Sequence, residues 1–226
     1  MNILITSNDP YPQYMGGDKR VAISLAKEWT RCGHNAFFLC YSPSLLRKSE
    51  VDGIEQLFFP DNNHLFSDRN LSFFRKTIME RKVQIVLHQH PKVPEFNRMC
   101  FSLNTSAKLV SVVHFDIAHE EKVLARSFFV KMRNGRNIKR WVIDGFLYVK
   151  YLLFAKRKLY NELVRLYTDI YEHSDCVALL SSSYIDSFIN YVPYATKRKL
   201  LSLNNPVKSI NYLPTIPKEK IVLWVG

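Results

Sequence analysis

The sequence predicts an α/β fold built on a doubly wound, mostly parallel, Rossmann-like sheet of about seven strands. Apolar runs of strand length alternate with longer amphipathic stretches along most of the chain. The first run is followed by a glycine-containing turn, a helical pattern and a second strand, which is the order of a βαβ unit. The 226 residues, 47% hydrophobic and 13% aromatic, supply core material for one large domain and are short for two.

Asn2 to Ser7 is the first strand, and residues 8–17, with two prolines and two glycines, are a loop. Val21, Leu25 and Trp29 then recur four residues apart, with Ala22 and Ala26 beside them, which predicts a helix. Gly33 stands where a left-handed cap would close it. Asn35 to Tyr41 reads as the second strand and Gly53 to Phe59 as the third. Asn70 to Arg81 reads as a helix, Val83 to His88 as a buried strand, Pro94 to Leu103 as a short helix and Lys108 to His114 as a strand. After a helical insertion, Asp175 to Ser181 is a strand, Ser183 to Tyr191 a helix and Lys199 to Leu203 a last short strand. Residues 204–218 carry Pro206, Pro214 and Pro217 and have linker composition. Ile221 to Gly226 begins another apolar strand.

The four cysteines, Cys32, Cys40, Cys100 and Cys176, form no CxxC pair and no metal-ligand spacing, and read as buried thiols in a reducing compartment. The N-terminus has no basic region before its short apolar stretch, so a signal peptide is not expected and a cytoplasmic location is. The net charge of +12 calls for an anionic partner. Between Leu124 and Arg165 eleven basic residues face only Asp144 and Glu162, so most of the excess lies in the insertion.

Within that insertion Ile138, Val142, Phe146, Val149, Leu153, Leu159, Leu163, Leu166 and Ile170 step mainly by three or four, the mark of an amphipathic helix. A continuous helix would be about 50 Å long, so a break near Gly145 is expected. Asp144, Lys150 and Lys156 interrupt the stripe well short of the roughly 20 apolar residues of a membrane span. Lys139, Arg140, Trp141, Lys156, Arg157 and Lys158 are instead candidates for facing an anionic membrane surface. In the alternative reading the stripe packs on the parent domain and the basic residues form a solvated face. Nucleic acid is not expected, because no RNA- or DNA-binding motif is present.

Gly16 and Gly17, between a strand and a helix, are suited to bringing backbone N–H groups against a phosphate, with Arg20 one helical turn on. They are equally suited to a tight turn, and neither GxGxxG nor a Walker motif is present. His114 ends a strand at the carboxyl edge, where open α/β sheets bind ligands. His88 and His90, alternating at another strand end, are expected to point to one side and are candidates for acceptor contact, as is Asp116. No third ligand accompanies the two histidines, so no metal is expected.

Gly16, Gly17, Arg20 and Val21, running into Leu25 and Ala26 and then Gly33 and His34, resemble the N-terminal signature of family 4 glycosyltransferases. Val110 to His114 resembles that family's strand ending in a site histidine. His173 to Val177, followed by Leu180 and Ser181, resembles its next strand, and Asn204 to Val207 its segment before the interdomain linker. Ile221 to Gly226 resembles the first strand of its donor domain. The sequence departs from the family at Phe115, which stands between His114 and Asp116.

The resemblance implies the acceptor-side half of a GT-B fold in residues 1–207, with the helical insertion at 119–173. It also implies a linker at 208–219 and, at 220–226, the start of a donor-binding domain that the chain lacks, so the chain alone should be inactive. The implied reaction is retaining transfer from a nucleotide-sugar to a glycan or lipid-linked acceptor. Gly16, Gly17 and Arg20 would lie at the donor phosphates and His114 at the transferred sugar. No cofactor or metal is implied. A non-catalytic α/β binding module and a one-domain nucleotide-dependent enzyme are the competing readings.

Overall fold

Each β-strand of the interior is apolar on both sides, as a sheet covered on two faces requires. In the computed structural model, which describes residues 1–11, 17–43, 49–119, 123, 130 and 138–203, these strands assemble into one eight-stranded sheet. The strands are β1 (Asn2–Ser7), β2 (Asn35–Cys40), β3 (Glu50–Val51), β4 (Ile54–Phe58), β5 (Ile85–His88), β6 (Lys108–Val113), β7 (Cys176–Leu179) and β8 (Leu200–Ser202). Their order is β3-β4-β2-β1-β5-β6-β7-β8, parallel throughout except for the β3–β4 hairpin. The sequence reading missed only β3, a two-residue strand turned by Asp52 and Gly53, both at positive φ.

Alternate residues of the strands enter opposite layers. Ile3, Ile5, Phe38, Leu87 and Val112 pack under α1 (Gly17–Arg31), which contributes Ala22, Ile23 and Ala26. Leu4, Phe37, Leu39 and Val86 face α2 (Asp68–Glu80) and α3 (Pro94–Phe101), which contribute Phe74, Ile78, Phe96 and Met99. Helix α1 ends as its sequence demands. Gly33 has φ 81°, and the His34 N–H to Trp29 carbonyl (2.9 Å) and Gly33 N–H to Thr30 carbonyl (3.0 Å) bonds are those of a Schellman cap.

The insertion contributes α4 (Ile138–Lys150), a π-helical turn (Tyr151–Ala155) and α5 (Lys156–His173), followed after β7 by α6 (Ser183–Tyr191). The expected break at Gly145 is absent: α4 passes through it, and the irregularity is the π turn. The apolar series carries its single six-residue step, from Leu153 to Leu159, across this point. Helix α5 buries Leu163, Tyr167, Ile170 and Tyr171 against β7 and α6. Helix α4 leaves Trp141, Val142, Ile143, Phe146 and Val149 exposed. Cys40 and Cys100 are buried as expected, but Cys32 is exposed beyond the last turn of α1 and Cys176 is half-buried. Residues 204–226, including the expected linker and the strand at 220–226, lie outside the described residues.

Candidate functional site at the switch point

The strand order reverses at β1: the chain proceeds outward through β2 and β4, then returns to pair β5 on the other side of β1. In open α/β sheets the crevice beyond the carboxyl ends at such a reversal is where ligands bind. Here those ends are Ser7 and His88, and the segments leaving them form a connected polar cluster.

His90 is its centre. Its Nδ1 lies 3.3 Å from Ser7 Oγ and 3.4 Å from the Asn8 N–H, while its Nε2 lies 3.3 Å from Asp18 Oδ2. A nitrogen facing a backbone N–H must accept, and a nitrogen facing a carboxylate must donate, so the network selects the Nε2–H tautomer. Burial holds the His90 pKa below its ordinary value despite the attraction of Asp9 and Asp18. Burial also opposes ionisation of Asp18. The Lys19 amide, the His90 bond and the charges of His114 and His90 outweigh it, and Asp18 titrates below the ordinary carboxylate range. Lys19, 8% exposed, turns back to bond Asp9 and the Pro10 carbonyl, which ties the first helical turn to the loop leaving β1.

A cavity of about 90 Å³ opens beside this cluster, lined by Asp18, Gln89, His90, Lys92, His114 and Phe115 among others. Tyr167 of α5 also reaches it, so the insertion is part of its wall. Gln89 is 2% exposed, yet its Oε1 has no hydrogen-bond partner, and the buried ring of His114 has no well-formed bond, only the Gln89 backbone close enough to favour its protonated form. The His114 pKa is lowered, chiefly by burial, with Asp18 opposing, so the ring is neutral near pH 7. Buried polar atoms left without partners are costly to a fold. Here they lie behind the wall of the cavity, whose exposed lining is mostly apolar and whose accessible polar edge is formed by the partly exposed Asp18 and His90.

The structure thus brings together His90 and His114, and adds Asp18 and Gln89, which sequence reasoning missed. Both were in view, Asp18 next to the glycine pair and Gln89 between two singled-out histidines, but their convergence depends on contacts tens of residues apart. Gly17 opens α1, and a side-chain carbon there would meet no atom within 4 Å. Arg20 is exposed on the same turn; Gly16 lies outside the described residues.

His88 and His90 do not share a side, because β5 ends at His88 and the chain bends at Gln89. His88 is fully buried in the opposite layer, 2.7 Å from Asn97 Oδ1 and edge-on to Phe96, with its pKa lowered to about 4, mainly by burial. It is closed off from the crevice and serves the core. Asp116 accepts the Ala118 N–H at 3.1 Å and so caps the short turn that follows. Among the described residues no group of three or more metal-ligating side chains occurs. Lys139, Trp141, Lys156, Arg157 and Lys158 are exposed on the insertion; Arg140 lies on α4, its side chain outside the described set. No family model matches the chain, and neither does any curated protein.

Proposed function

We propose that this chain forms the acceptor-side half of a retaining glycosyltransferase, which moves a sugar from a nucleotide-sugar to a glycan or lipid-linked acceptor. The observation that carries the reading is the switch-point crevice, where the partly exposed Asp18 carboxylate and His90 ring border the cavity and can bond hydroxyl groups. A sugar supplies such groups at close spacing, each able to donate and accept. Neutral His90 and His114 contribute hydrogen bonds rather than charge, so they position a sugar and leave the diphosphate to other groups. In this reading the donor phosphates fall to Gly16, Gly17 and Arg20; Gly17 and Arg20 are exposed at the start of α1, while Asp18 turns to His90. The amide groups at the start of α1 and the Arg20 guanidinium would there stabilise the charge that develops on the leaving diphosphate.

The insertion supports a place at an anionic membrane surface on the cytoplasmic side. No helix among the described residues is long and apolar enough to cross a membrane. Exposed Trp141 and Phe146 on α4, followed by the Lys156–Lys158 basic run, instead suit a segment lying in the headgroup region. Tyr167 links that segment to the cavity wall, which would set the crevice against a lipid-linked acceptor.

The test is turnover. The full product of the reading frame, assayed beside this chain with a panel of sugar nucleotides, is expected to hydrolyse or transfer from one of them, and this chain alone is not. In the active form His114→Ala should lower kcat/KM by about a hundredfold, the scale of removing one preorganised hydrogen-bonding group at a reacting centre. Absence of turnover with every donor, or an unchanged His114→Ala enzyme, rejects the reading.

A further inference from the structure

A second cavity, of about 340 Å³, lies at the same edge of the sheet, on the β2–β4 side. Its walls are Asn8 from the end of β1, Tyr41 from the end of β2, residues 63–66 of the loop after β4, and Glu95 in the first turn of α3. No residue of this wall was singled out by the sequence, and only Asn8, through its backbone N–H, takes part in the hydrogen bonding around His90.

The loop that forms its rim is held unusually firmly for a surface segment. Asn70, fully buried at the start of α2, donates through Nδ2 to the carbonyls of Asp61 (3.1 Å), His64 (2.9 Å) and Leu65 (3.2 Å). Its Oδ1 accepts the Asp61 N–H at 2.8 Å. Asp61 Oδ1 in turn accepts the N–H groups of Asn63 (2.9 Å) and His64 (3.2 Å), and the Tyr41 hydroxyl donates to the Asn62 carbonyl at 2.6 Å. A buried amide used in this way fixes the loop before any ligand arrives, so binding need not bear the entropy of ordering it.

The wall has the chemistry of saccharide recognition. Glu95, exposed, gives the cavity a carboxylate acceptor for hydroxyl donors, and Asn8 lines it beside the end of β1, its Oδ1 buried and without a hydrogen-bond partner. Asn63 and His64 add groups of mixed capacity, and Tyr41 and Phe66 complete a mostly polar wall, one face of Phe66 being covered by the Arg98 guanidinium 4.4 Å from its centroid. No lysine or arginine is among its lining residues, the guanidinium of Arg98 being stacked on Phe66, and Glu95 opposes a phosphate. Its volume stands near the lower end of the roughly 300–1,000 Å³ of small-molecule sites, the scale of a single ring rather than a nucleotide. The first-turn position of Glu95 would suit α3 by itself; it is the polar cavity of this size behind a clamped rim that points to a ligand.

We propose that this cavity is a saccharide subsite that takes one neutral, hydroxyl-rich ring of the acceptor. The assignment to the acceptor rests on the glycosyltransferase reading. Asn8 joins the two sites: its backbone N–H bonds His90 at the switch point, and its side chain lines the second cavity. A ring seated here would lie one residue from the groups that position the transferred sugar.

The experiment is saturation-transfer NMR on this chain with methyl α-glucopyranoside, methyl α-galactopyranoside and N-acetylglucosamine as probes and inorganic phosphate as competitor. At least one probe is expected to receive saturation. Glu95→Gln should weaken its binding about tenfold, the worth of one hydrogen bond to a charged group, and His64→Ala should weaken it less. Both side chains are exposed, so the variants should keep the parent circular dichroism, and Lys197→Ala, at an exposed position before β8, should bind as the parent does. Three silent probes, displacement by phosphate, or binding indifferent to both Glu95→Gln and His64→Ala would overturn the subsite. The two proposals fail separately. Turnover of a sugar nucleotide with an acceptor KM unmoved by Glu95→Gln would reject the subsite alone, and glycoside binding here without any turnover would reject the transferase alone.

Discussion

Helices α4 and α5 are two halves of one insertion with comparable apolar stripes, and they meet opposite fates. The stripe of α5 closes on β7 and α6, where Tyr167 and Ile170 are fully buried. That of α4 leaves Trp141 53% and Phe146 69% exposed. Between them the π turn shifts the phase of the helix, so the two stripes are not one continuous face. The difference teaches that amphipathic spacing specifies a helix and an apolar side, while what covers that side is decided by elements far away in sequence.

The strongest way to break this contrast is at Tyr167, which anchors α5 and walls the switch-point cavity. Tyr167→Ala should destabilise the chain by about 3–4 kcal/mol through loss of a fully buried aromatic, read by urea denaturation. A loss under about 1 kcal/mol would mean that α5 is held no more firmly than α4. A second test extends the contrast to titratable groups. His88 is buried with its pKa lowered to about 4, so the unfolded chain binds its proton more readily than the folded one. Its contribution is therefore complete above about pH 6.5, the unfolded value. It is lost as the pH falls from there through about 4. The loss should approach about 3 kcal/mol, and His88→Phe should flatten that part of the pH profile. An unaltered slope would show that His88 is not the buried neutral group that the fold makes it.

Most of the sheet was legible in the sequence because strand length, glycine punctuation and helical spacing are local. Gly33 announced its cap, and Lys108 to His114 announced β6 within one residue. The site was legible only in part. His114 and the glycine pair stood out by type and place, but Asp18 acquires its role from His90, 72 residues away, and Gln89 from the bend that ends β5. His88 and His90 mislead for a related reason: alternation places residues on one side only while the strand continues. The clamp made by Asn70 gave no signal at all, since an asparagine at a helix start is ordinary until its partners are known.

The smaller effects concern the outer half of the insertion. Lys156→Glu, Arg157→Glu and Lys158→Glu together should lower binding to vesicles of phosphatidylserine and phosphatidylcholine by at least tenfold at physiological salt. Each basic residue near an anionic surface contributes about 1 kcal/mol, and the loss should shrink as salt screens the charges. Equal binding by parent and variant would remove these residues from the membrane reading.

The sharpest comparison needs the smallest change. Trp141→Ser takes an aromatic from the exposed face of α4, so stability should move by no more than about 0.5 kcal/mol, while vesicle binding falls several-fold because the indole no longer enters the interface. Phe188→Ala, at a fully buried position between α5 and α6, is its counterpart and should cost several kcal/mol. If Trp141→Ser instead lowered stability by more than about 1 kcal/mol, the stripe of α4 would be packed as that of α5 is. The contrast between the two helices would then disappear, and with it the argument that this face is kept open for a membrane.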